Sequence, residues 1–247
     1  MKYIFCFMVA VCLIADQAWA ASVNIDFESY SANLPANTYG AAAGQSGTWN
    51  GLKFNSDNSN SVYSGNLLGL DGQPSGVSYS ATGISYLTIG ASNDLLIKDG
   101  FWAANYSPKP NWNVTLTGLV NGLYDVYVYA PTHSDIPTGN FTVNGTAASS
   151  FGYATSGSGP NGLDGLDLGI DYIVLSNLYI GAGSLNLVQT SYGVYYDYLG
   201  RLQNAYMAGL AGIQLVGAAA PVPIPGAVWL LGSGLLGLVT LKRKFRQ

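Results

Sequence analysis

Few residues in this chain carry types and spacings that could do chemistry. Asp26 and Glu28 stand two apart in Val23-Asn24-Ile25-Asp26-Phe27-Glu28, so on a β-strand both carboxylates point to one face. Calcium takes several hard oxygen ligands, and an acidic pair with backbone carbonyls would begin such a site. The plainer reading is a strand with a solvent-facing side. Trp49, Trp102 and Trp112, with Tyr63, Tyr106 and Tyr153, lie near expected strand or loop ends. Their flat faces suit stacking on pyranose rings, and the competing role for each is to fill a β core. Asp57 heads an oxygen-rich run to Ser61 but lacks the glutamate that closes an EF-hand loop. Asp164, Asp167 and Asp171, in or beside a glycine-rich loop, read as turn residues.

Catalysis has little to build on. His133-Ser134-Asp135 places three triad residue types side by side, but a triad converges from separate elements. His133 is the only histidine and Glu28 the only glutamate. Cys6 and Cys12 both lie in the N-terminal apolar segment, so the body has no disulfide, thiolate nucleophile or thiolate metal site. Between Ser22 and Ala220 four bases face twelve acids, a formal charge of −8. With no basic stripe to displace phosphate counterions, nucleic acid is excluded as a partner. Such a body suits a neutral ligand or a hard cation. Three readings follow: a sugar-binding module, a structural matrix protein and, as the alternative, a polysaccharide-processing enzyme or its ancillary domain.

The elements that must position these residues are strands. Alternating or β-rich runs recur at Val23–Glu28, Gly51–Phe54, Ile84–Ile89, Trp112–Leu116, Leu123–Ala130, Asn140–Val143, Tyr172–Leu175, Ser184–Gln189 and Leu210–Val216. Gly, Asn, Ser and Pro clusters separate them, with Asn144-Gly145 a hairpin signal. No stretch of the body sustains a helical period. The pattern predicts an all-β sandwich or barrel over residues 21–217. Tyr192–Tyr206 holds five tyrosines, too dense for one alternating face.

The two ends differ from the body. Lys2, the apolar run Tyr3–Ala15 and Ala18-Trp19-Ala20 describe a secretory signal peptide over residues 1–20. Cys12 lacks the preceding small residue that a lipoprotein needs. At the other end, residues 218–247 contain the apolar run Gly226–Leu241. As a helix its sixteen residues span about 24 Å, short of a hydrocarbon core of roughly 30 Å. Lys242, Arg243, Lys244 and Arg246 would hold its tip in the cytoplasm and leave the body outside. Pro223 and Pro225 keep the strip before it extended, as a membrane-embedded protease requires.

The order Val222-Pro223-Ile224-Pro225, then Trp229, Gly232-Ser233-Gly234-Leu235 and the Lys/Arg cluster resembles a PEP-CTERM sorting signal. More narrowly it is similar to the Val-Pro-x-Pro-Ala variant, with Gly226 in place of the usual alanine. The resemblance covers about 26 residues, Val222 to Gln247. It implies a Gram-negative envelope, export across the inner membrane, transient residence there, and cleavage by an exosortase near Pro225. It further implies delivery to the cell surface or to an extracellular, exopolysaccharide-rich matrix. "VNIDF", "NVTLTGLVNGLYDVYVYAP", "NFTVNG" and "LAGIQLV" together resemble the galactose-binding-like jelly rolls. That resemblance implies sugar-binding or matrix roles, and a structural calcium held by acids of the first and last strands. The last strand here offers no acid.

Overall fold

Strand formation follows from β-branched and aromatic residues spaced at two and broken by turn residues. The computed structural model describes residues 21–28, 33–53, 62–82, 85–88, 95–97, 99–102, 112–130, 140–149, 166–169, 171–189, 193–196, 202–205 and 209–217. The signal-peptide segment, the 218–247 sorting segment with Val222, Pro223, Ile224, Pro225, Trp229, Lys242, Arg243 and Lys244, Tyr106, Tyr153, Asp57 and the His133 loop lie outside those residues.

Among the described residues every regular element is a strand: β1 Val23–Glu28, β2 Trp49–Lys53, β3 Tyr63–Leu68, β4 Pro74–Thr82, β5 Ser85–Thr88, β6 Asp99–Trp102, β7 Asn113–Thr117, β8 Gly122–Tyr129, β9 Asn140–Val143, β10 Thr146–Ser149, β11 Tyr172–Ile180, β12 Ser184–Gln189, β13 Gly193–Tyr196, β14 Leu202–Ala205, β15 Gly209–Leu210 and β16 Gly212–Gly217. A five-stranded sheet runs β11-β8-β16-β1-β2, and a six-stranded sheet runs β10-β9-β12-β7-β4-β3. Smaller sheets, β15-β6-β5 and the hairpin β13-β14, complete the set. The expected all-β architecture is therefore observed.

One hydrophobic core lies between the two large sheets. Ile25, Phe27, Val126, Val128, Ile213 and Leu215 enter it from the first sheet. Val77, Val114, Leu116, Phe141, Val143 and Leu187 enter it from the second. Period-two alternation supplies one inward row per strand, as a sandwich requires. The first sheet is also covered on its outer face. Trp49, Leu96, Ile97, Tyr129 and Ala211 form a second apolar cluster there, with Tyr39, Ala41 and Ala42 packed against it. That second layer explains why all six residues of β1 are buried although its sequence alternates.

The boundaries show how tertiary pairing extends local signals. The 172–175 run continues to Ile180 because β11 pairs with β8 along its length, through a bulge between Leu175 and Leu178. The 210–216 run is divided at Ala211, whose N–H donates to Tyr129 O while its own carbonyl accepts from Phe27 N. Asn144 and Gly145 both have positive φ, 48° and 79°, and turn β9 into β10, as the Asn-Gly signal predicts. The serine- and glycine-rich strands β3 (YSGNLL) and β4 (PSGVSYSAT) carry too little apolar pattern to be read from sequence. Pairing in the second sheet decides them.

Asn50 joins the sheets at one seam. It sits on β2, while Leu68 belongs to β3 in the opposite sheet. Its Oδ1 accepts from Leu68 N at 2.8 Å, and its Nδ2 donates to Leu68 O at 2.9 Å. The side-chain amide thus stands in for a strand residue, and Nδ2 also donates to Asn24 O at 2.9 Å.

Gln189 is the contrasting amide. It follows Leu185 and Leu187 on the inward row of β12 and is fully buried. Its Oε1 and Nε2 find no hydrogen-bond partner among the described residues. An orphaned buried amide costs about 1–3 kcal/mol. Replacing it by a near-isosteric apolar side chain removes that cost. Gln189→Met is expected to stabilise the fold by about 1–3 kcal/mol, read as a rise in the thermal midpoint; a lower midpoint would contradict this account.

Candidate functional site

The outer face of the five-stranded sheet collects most of the buried polar side chains of the described residues. Asn24, Asp26 and Glu28 alternate outward on β1, Gln214 projects from β16, and Asn24 pairs with Gln214 in register. A segment from 33 to 48, between β1 and β2, straps over them. Turn hydrogen bonds shape it: Tyr39 N donates to Ala36 O, Gln45 N to Gly40 O and Gly47 N to Asn37 O.

The strap exchanges hydrogen bonds with the sheet at Asn24, Gln214, Tyr129 and Trp49. Asn24 Oδ1 accepts from Gln45 Nε2 at 2.8 Å and from Gln214 Nε2 at 3.0 Å. Asn24 Nδ2 donates to Gln45 O at 3.0 Å, and Gln214 Nε2 also donates to Gly40 O at 3.1 Å. The Tyr129 hydroxyl donates to Gln214 Oε1 and accepts from Ala42 N at 2.9 Å. Trp49 Nε1 donates to Tyr39 O at 3.1 Å while the two rings pack, centroids 6.1 Å apart. Sequence reading missed Asn24, Gln45, Gln214 and Tyr129, because no local pattern distinguishes a buried amide from an exposed one.

Asp26 and Glu28 share one face, as their spacing requires, but that face is interior. Asp26 is fully buried and Glu28 is 1% exposed, which corrects the picture of a solvent-facing strand. The strands on either side of Asp26 present glycine in register, Gly51 on β2 and Gly212 on β16. A Cβ on Gly51 would stand 2.6 Å from Glu28 Oε1, and one on Gly212 would stand 2.5 Å from Leu96 Cδ1. Both glycines therefore clear space for the carboxylates and for the apolar cover. Lys53, register partner of Glu28, sets its Nζ 3.6 Å from Glu28 Oε2. Lys53 is mostly exposed and Glu28 is not, so the ion pair reaches the surface only at its ammonium end.

This donor set meets part of what calcium demands. It offers two carboxylates on one face, but the last strand contributes Gly212 in register with Asp26. Among the described residues no group of three His, Cys, Asp or Glu comes together. The cation that the structure sets against Glu28 is Lys53.

The aromatic candidates separate clearly. Trp112 is fully buried and packs on Phe141, centroids 5.9 Å apart. Trp49 is 4% exposed beneath the strap. Neither offers a face to a sugar; filling space between layers overrides the surface role that their positions near strand ends suggested. Tyr63 is half-buried and packs on the main core. Trp102 lies on β6, its backbone paired with Ser85 and Gly209. Asp167 and Asp171 do turn chemistry: Asp171 Oδ2 accepts from Asp167 N at 2.8 Å, and Asp171 N donates to Asp167 O at 2.9 Å. The tyrosine-rich segment supplies the hairpin β13-β14.

Burial pushes the Tyr129 phenol well above its ordinary range, and neighbouring Tyr172 and Tyr127 act in the same direction. In the unfolded chain this phenol releases its proton near pH ~10. The folded state keeps the proton, so unfolding binds fewer protons above that pH and stability falls as pH rises. The thermal midpoint is expected to drop progressively above pH ~10, and less steeply in Tyr129→Phe. An unchanged slope in that variant would place the alkaline sensitivity elsewhere.

Compared with known proteins, the chain matches no protein-family model, and no curated protein sequence is similar to it.

Proposed function

We propose that this chain is an exported, non-catalytic protein of the cell envelope or extracellular matrix. In this reading an exosortase sorts it, and it serves as a structural or carbohydrate-binding component of an exopolysaccharide layer. The observation that carries the proposal is the ordered run Val222-Pro223-Ile224-Pro225, Trp229 and Lys242-Arg243-Lys244 behind an acidic all-β body. The N-terminal segment directs export. The C-terminal apolar run then enters the inner membrane with its basic tip in the cytoplasm, and cleavage near Pro225 frees the body.

The finer fold reading, a galactose-binding-like jelly roll, belongs to the same proposal. Its support is that the first and last strands, β1 and β16, are neighbours in one sheet. A structural role is supported by how the chemistry-bearing residues are used. Asn24, Gln45, Gln214 and Tyr129 bond to one another, and Trp49 and Trp112 fill interiors.

Two measurements test this reading. Peptide mapping of the protein recovered from the exopolysaccharide fraction of its host should find a mature N-terminus at Ala21 and a C-terminus near Pro225. A freely soluble protein, or one retaining Lys242 to Gln247, would count against it. For the structural calcium proposed at Asp26 and Glu28, adding calcium to the chelator-treated protein should raise the thermal midpoint, and Asp26→Asn should abolish the rise. No response in the unsubstituted chain would remove calcium from the proposal.

A further inference from the structure

Among the described residues, the cover over the outer face of the five-stranded sheet does not run along its whole length. The strap and the 95–97 turn sit over β1, β2, β16 and the Tyr129 end of β8. Toward the start of β8, the surface shared with edge strand β11 carries Leu123, 45% exposed, opposite Tyr179, 66% exposed. These two are cross-strand partners, and both were left out of the aromatic and apolar candidates read from the sequence.

Tyr179 is exposed yet held. A Cβ on Gly181 would stand 2.8 Å from Tyr179 Cε1 and 3.6 Å from Cζ, so the ring lies along the bare backbone of Gly181. A ring supported on one side and two-thirds exposed offers its other side to solvent. Rigid aromatic area of this kind loses little side-chain entropy when a ligand covers it. Polar residues occupy neighbouring positions on the two strands. Asp125 is two residues beyond Leu123 on the same side of β8, and its Oδ1 accepts from Asn177 N at 2.8 Å. Asn177 forms the β11 bulge with φ 56° and is exposed, as is Asn121. The bulge also interrupts the edge, which blunts strand addition by another chain and leaves side chains as the means of contact.

We infer that Tyr179, backed by Gly181 and flanked by Leu123, Asp125 and Asn177, is a stacking platform for a neutral pyranose polymer. The inference rests on the carbohydrate-binding reading above and gives it a site. The ring and Leu123 match the C–H face of a pyranose, while the carboxylate and amide groups match hydroxyls at its edge. Charge selects the class of polymer. The acid beside the ring is Asp125, and the described cation on this sheet, Lys53, stands on β2 at the opposite edge. With a formal charge of −8 on the body, a polyuronate would be repelled.

Isothermal titration calorimetry of the full chain in zwitterionic detergent tests this, with cellohexaose and laminarihexaose as neutral probes and alginate as the polyanion. At least one neutral probe should bind, Tyr179→Ala should weaken it by about tenfold or more, and Tyr179→Phe should retain it. Gly181→Val, which displaces the ring, should weaken binding like Tyr179→Ala while the far-ultraviolet circular dichroism stays unchanged. Neutral-probe binding that survives Tyr179→Ala would overturn the platform and leave the carbohydrate reading standing. Preference for alginate would overturn the assignment of polymer class. Binding to none of the probes would overturn both the platform and the carbohydrate reading.

Discussion

A sheet covered on both faces has no solvent to satisfy the polar side chains it turns away from the core. Here that constraint falls on β1 and β16, where Asn24 and Gln214 stand in register beneath the strap. Each amide has donors and acceptors to place, and leaving one unmet costs about 1–3 kcal/mol. Gln45, Gly40 and the Ala43 N–H reach down from the strap and meet them, while Ala42 N donates to the Tyr129 hydroxyl. The strap's position, the second apolar cluster and the burial of Asp26 and Glu28 all depend on that exchange. Removing one member would leave several others unmet, which gives the layer one arrangement instead of many.

The same closure divides the sheet by use. Under the strap, side chains that look chemical in sequence are structural: amides bond to amides, Trp49 packs, and Glu28 pairs with Lys53 along a narrow path to the surface. Past the strap, on β8 and β11, aromatic and apolar side chains remain in solvent, and the edge is interrupted by a bulge. Interior satisfaction thus holds one end of the sheet closed, and the other end keeps its side-chain area open to contact. The Asn50 clamp onto Leu68 completes the closed side by tying β2 to the opposite sheet.

Much of this architecture was legible in the chain. VNIDFE, SLNLVQ and NFTV correspond residue for residue with β1, β12 and β9; apolar and polar residues alternate throughout VNIDFE and NFTV, and up to Leu187 in SLNLVQ. The Asn144-Gly145 turn was legible because left-handed backbone at both positions favours those residue types. By contrast, β3 and β4 were not legible. Their Ser, Gly and Pro read as loop locally, and only pairing with β7 makes the pattern of Val77, Tyr79 and Ala81 an inward row. Among site residues, the shared face of Asp26 and Glu28 was legible, but its burial was not. Tyr179 was invisible as a candidate because nothing in YIVLSNLYIG distinguishes the tyrosine that lies over a glycine from one that enters the core.

By itself, then, the sequence determined the all-β class, the inward rows of the strongest strands, the acidic charge of the body and the character of its two ends. These follow from composition and nearest-neighbour periodicity, which act over a few residues. Tertiary structure alone decided that a strand reading as half-exposed is covered on both sides, that Trp49 and Trp112 are filler, and that Tyr179 is presented to solvent. Those outcomes depend on which segment lies across which face. That in turn is settled by hydrogen bonds such as Gln214 to Gly40, 174 residues apart in the chain, and no local pattern encodes them.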